Sequence, residues 1–146
     1  CETNVRTYVH CDGKDPGVWF FSLDASRALP VQIARKRWQL NYHFSRMQRT
    51  RTGNAVRYAS QRLWPGTPGA GCRIDIAAGD PIGAASGDFI RGHVHHGPYP
   101  LREARAESCE ETLLRAAGIS VDGPPCHALF SDGVDVEIFP LQEVAR

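Results

Sequence analysis

Three histidines close together are the chain's most evident candidates for chemistry. His93 and His95 stand two residues apart, and His96 follows directly. On a strand, the imidazoles of His93 and His95 project from one face, where they could hold two corners of a zinc site. Cys126 or His127 could supply a third ligand, but the spacing matches no standard zinc signature and no carboxylate stands beside the pair as a base. The pattern favours a structural turn after His95, and we expect no resident metal.

The cysteines and serines do not form a recognisable nucleophilic site. Cys126 and His127 are adjacent, so on a strand their side chains project from opposite faces and cannot form a catalytic pair. Cys109 is predicted in the first turn of a helix, where the dipole lowers a thiol pKa, but the glutamates beside it act in the opposite direction. Ser22 has no Gly-x-Ser-x-Gly elbow around it. The sequence therefore specifies no reaction.

Arginines supply nearly all the positive charge, and several of them cluster in the predicted hairpin. Only Lys14 and Lys36 of the 17 basic residues are lysines. Alternation sends Arg46 to the face opposite Arg49 and Arg51, and aromatic residues do not interleave with the arginines as a base-stacking platform requires. We expect a solvated face and no nucleic-acid partner. The cluster consists of Arg46, Arg49, Arg51, Arg57, Arg62 and Arg73.

The composition is that of one ordinary globular domain. The chain has 146 residues and a formal net charge of +1, and no apolar run approaches the roughly 20 residues that span a bilayer. Five scattered cysteines, never in a Cys-x-x-Cys pair, predict reduced thiols and a cytoplasmic location. We therefore expect neither a membrane partner nor a cofactor.

Alternation and turn residues predict a strand-rich domain with an early helix. Asp24 or Ser26 is the predicted cap of that helix, and Val31, Ala34 and Trp38 form its apolar stripe. A loop is predicted at 77–88. Strands are predicted at 5–11, 18–23, 44–51, 55–63, 72–76, 89–96, 127–130 and 134–139.

A second helix is predicted late in the chain. Ser108 and Glu111 have the spacing of a capping box, and Gly118 is a natural stop. Many short strands with two short helices indicate an α+β domain built on a mainly antiparallel sheet.

Several segments together resemble the YqjF-like family of bacterial proteins, known as domain of unknown function 2071. No one of these segments is sufficient alone, but their order along the chain makes the resemblance specific. They are Glu2–Val9, Gly17–Ala25, Ala34-Arg35, Arg57–Arg62, His95–Leu101, and Phe130-Ser131 with Asp135-Val136.

The resemblance implies a fold similar to acetoacetate decarboxylase, in which a curved antiparallel sheet closes into a barrel-like or sandwich-like cavity. The family carries a further third upstream of Glu2, and a longer segment where this chain has 82–87. We therefore expect residues 1–146 to be a single domain that lacks its N-terminal third. An unpaired sheet edge left by that loss is expected to self-associate.

The resemblance also assigns positions in the cavity. Acetoacetate decarboxylases use a lysine of depressed pKa to form a Schiff base, but Asn41, Tyr42 and His43 stand at that position here. Glu2 fits the place of the cavity glutamate, and Arg35 fits the arginine of the helix motif. Schiff-base decarboxylation is therefore not expected.

These considerations favour a protein that binds a small polar or anionic molecule in the mouth of the curved sheet. One alternative is an enzyme of unknown reaction at the same cavity, and another is an interaction module that pairs through an open sheet edge. The candidate ligand-binding residues are Glu2, Arg6, Arg35, Tyr42, His43, His95 and His96.

Overall fold

The computed structural model describes residues 1–11, 13–82 and 99–133. Two helices and seven strands lie in these ranges, and the helices are α1 (Ala28–Trp38) and α2 (Leu113–Ala116). The strands are β1 (Glu2–Cys11), β2 (Lys14–Ala25), β3 (Tyr42–Thr52), β4 (Ala55–Trp64), β5 (Gly71–Pro81), β6 (Leu101–Glu111) and β7 (Leu129–Ser131).

The strands form one curved sheet in chain order, from β1 to β7. All neighbours pair antiparallel except β2 and β3, which are parallel from Leu23↔Tyr42 to Ala25↔Phe44. Parallel neighbours require a crossover connection, and α1 supplies it. The predicted α+β class with a mainly antiparallel sheet is confirmed.

One face of the sheet is concave. The hydroxyl groups of Thr3 in β1 and Tyr58 in β4 are hydrogen-bonded to each other, although three strand intervals would separate them by about 14 Å in a flat sheet. The two side chains cannot span that gap, so the sheet must curl toward this face. At the other end, the guanidinium of Arg51 in β3 lies 5.5 Å from the ring centre of Phe130 in β7.

Two apolar clusters support the curl. The first joins β4 to β7, and the second joins β5 and α2 to side chains of β1 and β4. Val31, which is 0% exposed, anchors α1, and this helix packs chiefly against β3. The first cluster contains Val56, Ala78 and Phe130, with Ile76 and Ala104 packed on it. The second contains Ala70, Cys72 and Leu113, with Val5, Tyr58 and Ile74 packed on it.

The predicted cap of the first helix is wrong. The N-cap residue is Arg27, whose side chain makes no capping hydrogen bond. Asp24 instead lies inside β2, and the Ser26 hydroxyl donates to the carbonyl oxygen of Cys1 at 3.3 Å. Of the predicted apolar stripe, Val31 is buried, whereas Ala34 and Trp38 are only half-buried.

The predicted capping box is also wrong. Ser108 and Cys109 belong to β6, which continues to Glu111, and the helix that follows is a single turn, α2. The Ser108 hydroxyl donates to Asp75 Oδ2 of β5 at 3.1 Å rather than to a helix amide. Glu111 does cap the helix, because its Oε2 accepts the backbone N–H of Leu114 at 2.9 Å.

Glu111→Ala is expected to destabilise the protein by about 0.5–1 kcal/mol, because it removes the acceptor for an otherwise unsatisfied helix N–H. Urea unfolding measures the change. Glu110→Ala is the matched control, since Glu110 is also exposed at the end of β6, and it should shift the free energy of unfolding by less than about 0.5 kcal/mol. If the two substitutions change the free energy of unfolding equally, the hydrogen bond from Leu114 to Glu111 does not stabilise the protein.

The remaining strand predictions divide into three groups. β1 to β5 are confirmed with longer bounds, and the predicted loop at 77–88 is wrong as far as Pro81, because β5 includes 77–81. β7 confirms the first strand of the last predicted hairpin. The strands predicted at 89–96 and 134–139 lie outside the described residues.

Candidate functional site

The sequence-predicted site residues at the start of β3 are divided between the two faces of the sheet. Tyr42 and His43 are consecutive in the strand, so their side chains project to opposite faces. The Tyr42 phenol donates to Glu2 Oε1 at 3.2 Å, and Arg35 Nη1 donates to the Tyr42 carbonyl oxygen at 2.7 Å. Glu2, Arg35 and Tyr42 are therefore grouped together, whereas His43 lies on the concave face.

The group around Tyr42 holds its phenol in the protonated form. Burial, the negative charge of Glu2 and the hydrogen bond from the phenol to Glu2 together raise the pKa of Tyr42 to about 12, and burial is the largest of these causes. The guanidinium of Arg35 is directed at the backbone of β3, and it lies 6.0 Å from the ring centre of Trp64. This group suits structural support of the helix and strand junction better than proton transfer near neutral pH.

Glu2→Gln is expected to lower the pKa of Tyr42 from about 12, because it removes both the negative charge and the strong acceptor at the phenol. The pKa should stay above its ordinary value of 10.0, since burial is the largest cause of the shift. Absorbance titration of phenolate formation measures it, and subtraction of the Tyr42→Phe titration isolates this tyrosine. An unchanged pKa in Glu2→Gln would contradict the contact.

His43 is buried on the concave face and held by the loop after β4. Its Nδ1 is hydrogen-bonded to the carbonyl oxygen of Pro65, and the side chain is only 6% exposed. Burial lowers the pKa of His43, with Arg62 acting in the same direction and the Pro65 hydrogen bond opposing it. The imidazole is therefore neutral near neutral pH.

A buried ion pair lies beside His43 and was not predicted. Arg62 Nε donates to Asp24 Oδ1 at 2.9 Å, and Arg62 Nη2 donates to Asp24 Oδ2 at 2.7 Å. The Ser45 hydroxyl donates to Asp24 Oδ1 at 2.6 Å. The three residues come from β2, β3 and β4 and are at most 3% exposed. The sequence predicts Arg62 on a solvated face and Asp24 at a helix cap, and both predictions are wrong.

Ser22 completes this arrangement. It precedes Asp24 by two residues in β2, so both side chains project to the concave face. Ser22 Oγ and His43 Nε2 are buried and have no hydrogen-bond partner within the described ranges. Ser22, Asp24, His43, Ser45 and Arg62 are called the concave polar cluster below.

Hydrogen bonding, rather than nucleophilic attack, is the chemistry that the concave polar cluster supports. The opposite charges of Asp24 and Arg62 offset each other, and the carboxylate oxygen that accepts from the Ser45 hydroxyl also accepts from Arg62, which makes it a weak base. Burial raises the pKa of the nearby Cys72 thiol, whose Sγ lies 3.3 Å from the Ser60 hydroxyl. A protonated thiol is a poor nucleophile. Within the described ranges, no group of three or more histidine, cysteine or acidic residues is arranged to hold a metal ion.

The chain is similar to a known protein family. The profile of the DUF2071 family, described as an uncharacterized conserved protein, matches residues 1–88. The chain belongs to the DUF2071 family. It is 31% identical over 164 residues to "Uncharacterized protein YqjF" of Bacillus subtilis (strain 168), with 97% of the chain covered. The chain spans 65% of the length of that relative. No solved structure matches.

The resemblance found from the sequence is thus confirmed. The DUF2071 match contains the whole concave polar cluster, because that cluster lies between Ser22 and Arg62. None of the helices in the described part of the chain is long and apolar enough to cross a membrane.

The other sequence-predicted residues lie away from the concave polar cluster or outside the described ranges. Arg6 is exposed on β1, where its guanidinium carbon lies 5.7 Å from the ring centre of Tyr8. His95 and His96 lie outside the described residues, as does His93. Their predicted contribution to a site therefore stays a prediction.

Proposed function

We propose that this protein binds a small polar or anionic molecule on the concave face of its sheet, through the concave polar cluster. The observation that supports this proposal is the pair of buried, unpartnered polar atoms, Ser22 Oγ and His43 Nε2. An unsatisfied buried polar group costs about 1–3 kcal/mol, and the large majority of buried side-chain polar atoms have a partner in native proteins. A ligand that hydrogen-bonds both atoms would recover that cost on binding.

The proposal excludes Schiff-base chemistry. A Schiff-base lysine needs a desolvated or cation-flanked amine to react near neutral pH. The chain has only Lys14 and Lys36, and both are exposed, away from the concave polar cluster. Treatment with borohydride and a β-keto acid should therefore leave the mass of the protein unchanged.

Ser22→Ala and Ser45→Ala form a matched pair that tests the proposed site. Both serines are buried on the concave face, at 2% and 1% exposure. Ser22→Ala removes an unsatisfied hydroxyl, so it should leave the free energy of unfolding unchanged or raise it. Ser45→Ala removes a donor from Asp24 and should destabilise the protein by about 1–3 kcal/mol.

Binding provides the second half of this test. A thermal-shift screen of small polar and anionic molecules should yield ligands that stabilise the wild type, and Ser22→Ala should weaken them. If Ser22→Ala destabilises the protein as much as Ser45→Ala does, its hydroxyl is already satisfied and the site is not built for a ligand. If no molecule stabilises the wild type, the proposed function is wrong.

A second candidate function, association through a sheet edge, is favoured by β1. This strand ends the described sheet, and its neighbourhood exposes large apolar side chains: Val9 is 44% exposed and Trp19 of β2 is 60% exposed. Edge strands with exposed apolar residues pair readily with other chains. Light scattering should show concentration-dependent assembly that Trp19→Lys reduces, and a monodisperse monomer at all concentrations would contradict it.

A further inference from the structure

We propose that the molecule bound by the concave polar cluster is uncharged and carries a hydroxyl group that donates a hydrogen bond to His43 Nε2. This inference rests on the proposed function and narrows it from polar or anionic molecules to neutral hydroxyl compounds such as polyols and sugars.

The hydrogen bond between His43 Nδ1 and Pro65 fixes the tautomer of the imidazole. A carbonyl oxygen only accepts hydrogen bonds, so Nδ1 must carry the proton that it donates to Pro65. In a neutral imidazole the second nitrogen is then an acceptor with a free lone pair. His43 Nε2 therefore requires a donor, and a carboxylate or phosphate oxygen without a proton cannot supply one.

The loop that accepts this hydrogen bond also holds the ring in place. Gly66 packs against the imidazole edge so closely that a Cβ there would lie 3.0 Å from His43 Cε1 and 3.2 Å from Nδ1. Gly66 has a φ of +97°, a backbone conformation that residues other than glycine rarely adopt. The ring is therefore held with its Nδ1 edge against the loop, so that Nε2 stays available as the acceptor.

The charges around His43 argue against an anion. Both carboxylate oxygens of Asp24 accept from Arg62 in two hydrogen bonds, so this guanidinium is already neutralised. Arg35, whose positive charge also lowers the pKa of His43, donates to the carbonyl oxygen of Tyr42. An anion entering the cluster would lose its hydration without gaining an unmatched positive charge in return, which is costly in a buried site.

Ser22 adds a requirement that a hydroxyl group meets. The Ser22 hydroxyl can both donate and accept, whereas neutral His43 Nε2 can only accept. A hydroxyl group has one donor and two acceptor lone pairs, so a hydroxyl compound can supply the donor that His43 requires and either kind of partner for Ser22. A molecule with only carbonyl or ether oxygens leaves His43 unsatisfied.

The experiment combines imidazole NMR with two matched compound libraries. Protein labelled with ¹⁵N-histidine is titrated with polyols, monosaccharides and nucleosides, and in parallel with the corresponding carboxylates and phosphates, such as glycerol against glycerate. In the unliganded protein, the His43 Nε2 resonance should be that of an unprotonated nitrogen. Neutral compounds should bind saturably and shift this resonance upfield, and their charged counterparts should bind about tenfold more weakly or not at all.

Ser22→Ala supplies the control for site specificity, and it should weaken the neutral compounds about tenfold, the effect of one lost hydrogen bond. Preferential, Ser22-dependent binding of the anions would overturn the ligand class while sustaining the proposed function. A protonated Nε2 in the unliganded protein would overturn the class in the same way. If neither library contains a compound that binds, both the ligand class and the proposed function are wrong.

Discussion

Arg62→Met is expected to reduce the free energy of unfolding by about 3–5 kcal/mol, since it leaves the carboxylate of Asp24 buried without its counter-charge. Asp24 is 1% exposed and Arg62 is 3% exposed, so water cannot replace the lost partner. Urea unfolding followed by circular dichroism measures the loss. If Arg62→Met is too unstable to be purified in the folded state, this agrees with the expectation only when the additional substitution Asp24→Asn restores folding.

The surface ion pair on the same strand is the matched control. Arg57 Nε lies 2.7 Å from Asp75 Oδ1, as close as the buried pair, but the Arg57 side chain is 68% exposed. Exposed ion pairs contribute about 0–1 kcal/mol, so Arg57→Met should change stability by less than about 1 kcal/mol. The comparison separates the effect of burial from the effect of removing an arginine from β4.

Asp24→Asn in the Arg62→Met background should restore part of the lost stability, because it removes the isolated charge and keeps an oxygen that accepts from Ser45. The double variant is therefore expected to be more stable than the Arg62→Met single variant. The expectation is wrong if the free energy of unfolding of Arg62→Met lies within about 1 kcal/mol of the wild type. It is also wrong if the double variant is no more stable than Arg62→Met, because either result would show that the charge of Asp24 is compensated without Arg62.

Elements specified by nearby residues could be predicted from the sequence. The β3–β4 hairpin is the plainest case: its strands alternate on either side of Gly53-Asn54, and Gly53 adopts a φ of +59°, which a glycine tolerates. Both the strands and their turn are encoded within 23 residues, from 42 to 64. Local periodicity was therefore enough to place this hairpin.

Residues whose partners are distant in the chain were misassigned. Aspartate and serine are common at helix caps, yet Asp24 binds Arg62, 38 residues away, and Ser108 binds Asp75, 33 residues away. Pairing across a curled sheet overrides the local preference of a residue type. No sequence window that contains only one partner could have revealed either contact.

The candidate site was found only in part for the same reason. Family resemblance led to Tyr42 and His43, but the alternation of β3 separates their side chains. Ser22 and Asp24 lie two residues apart in β2, so their side chains project to the same face of the sheet. This spacing was the feature of the sequence that could have revealed the concave polar cluster. Polar residues spaced by two in an otherwise apolar strand indicate a polar patch on one face.

Gly71→Ala is expected to destabilise the protein by about 3 kcal/mol or more, the upper end of what overpacking costs. A Cβ at Gly71 would lie 2.0 Å from the carbonyl oxygen of Ser60 and 3.1 Å from Gln61 Cα. Both obstacles are backbone atoms of β4, so no side-chain rotation relieves the overlap. Gly71 also exchanges hydrogen bonds with Thr112, which places it where β4, β5 and the start of α2 meet.

Gly17→Ala is the control, because Gly17 also lies inside a strand but has room for a methyl group: the nearest atom to its Cβ would be Val9 Cγ2 at 3.8 Å. Alanine there reduces the freedom of the unfolded chain, so the variant should be neutral or more stable by about 0.4–1 kcal/mol. Urea unfolding of both variants gives the comparison. Amide hydrogen exchange should also show that Gly71→Ala loses protection first in the β4–β5 ladder, since the added methyl separates those strands. Equal stability of the two variants would mean that β4 and β5 can move apart at Gly71 without cost, and that this junction does not fix the curl that carries the concave polar cluster.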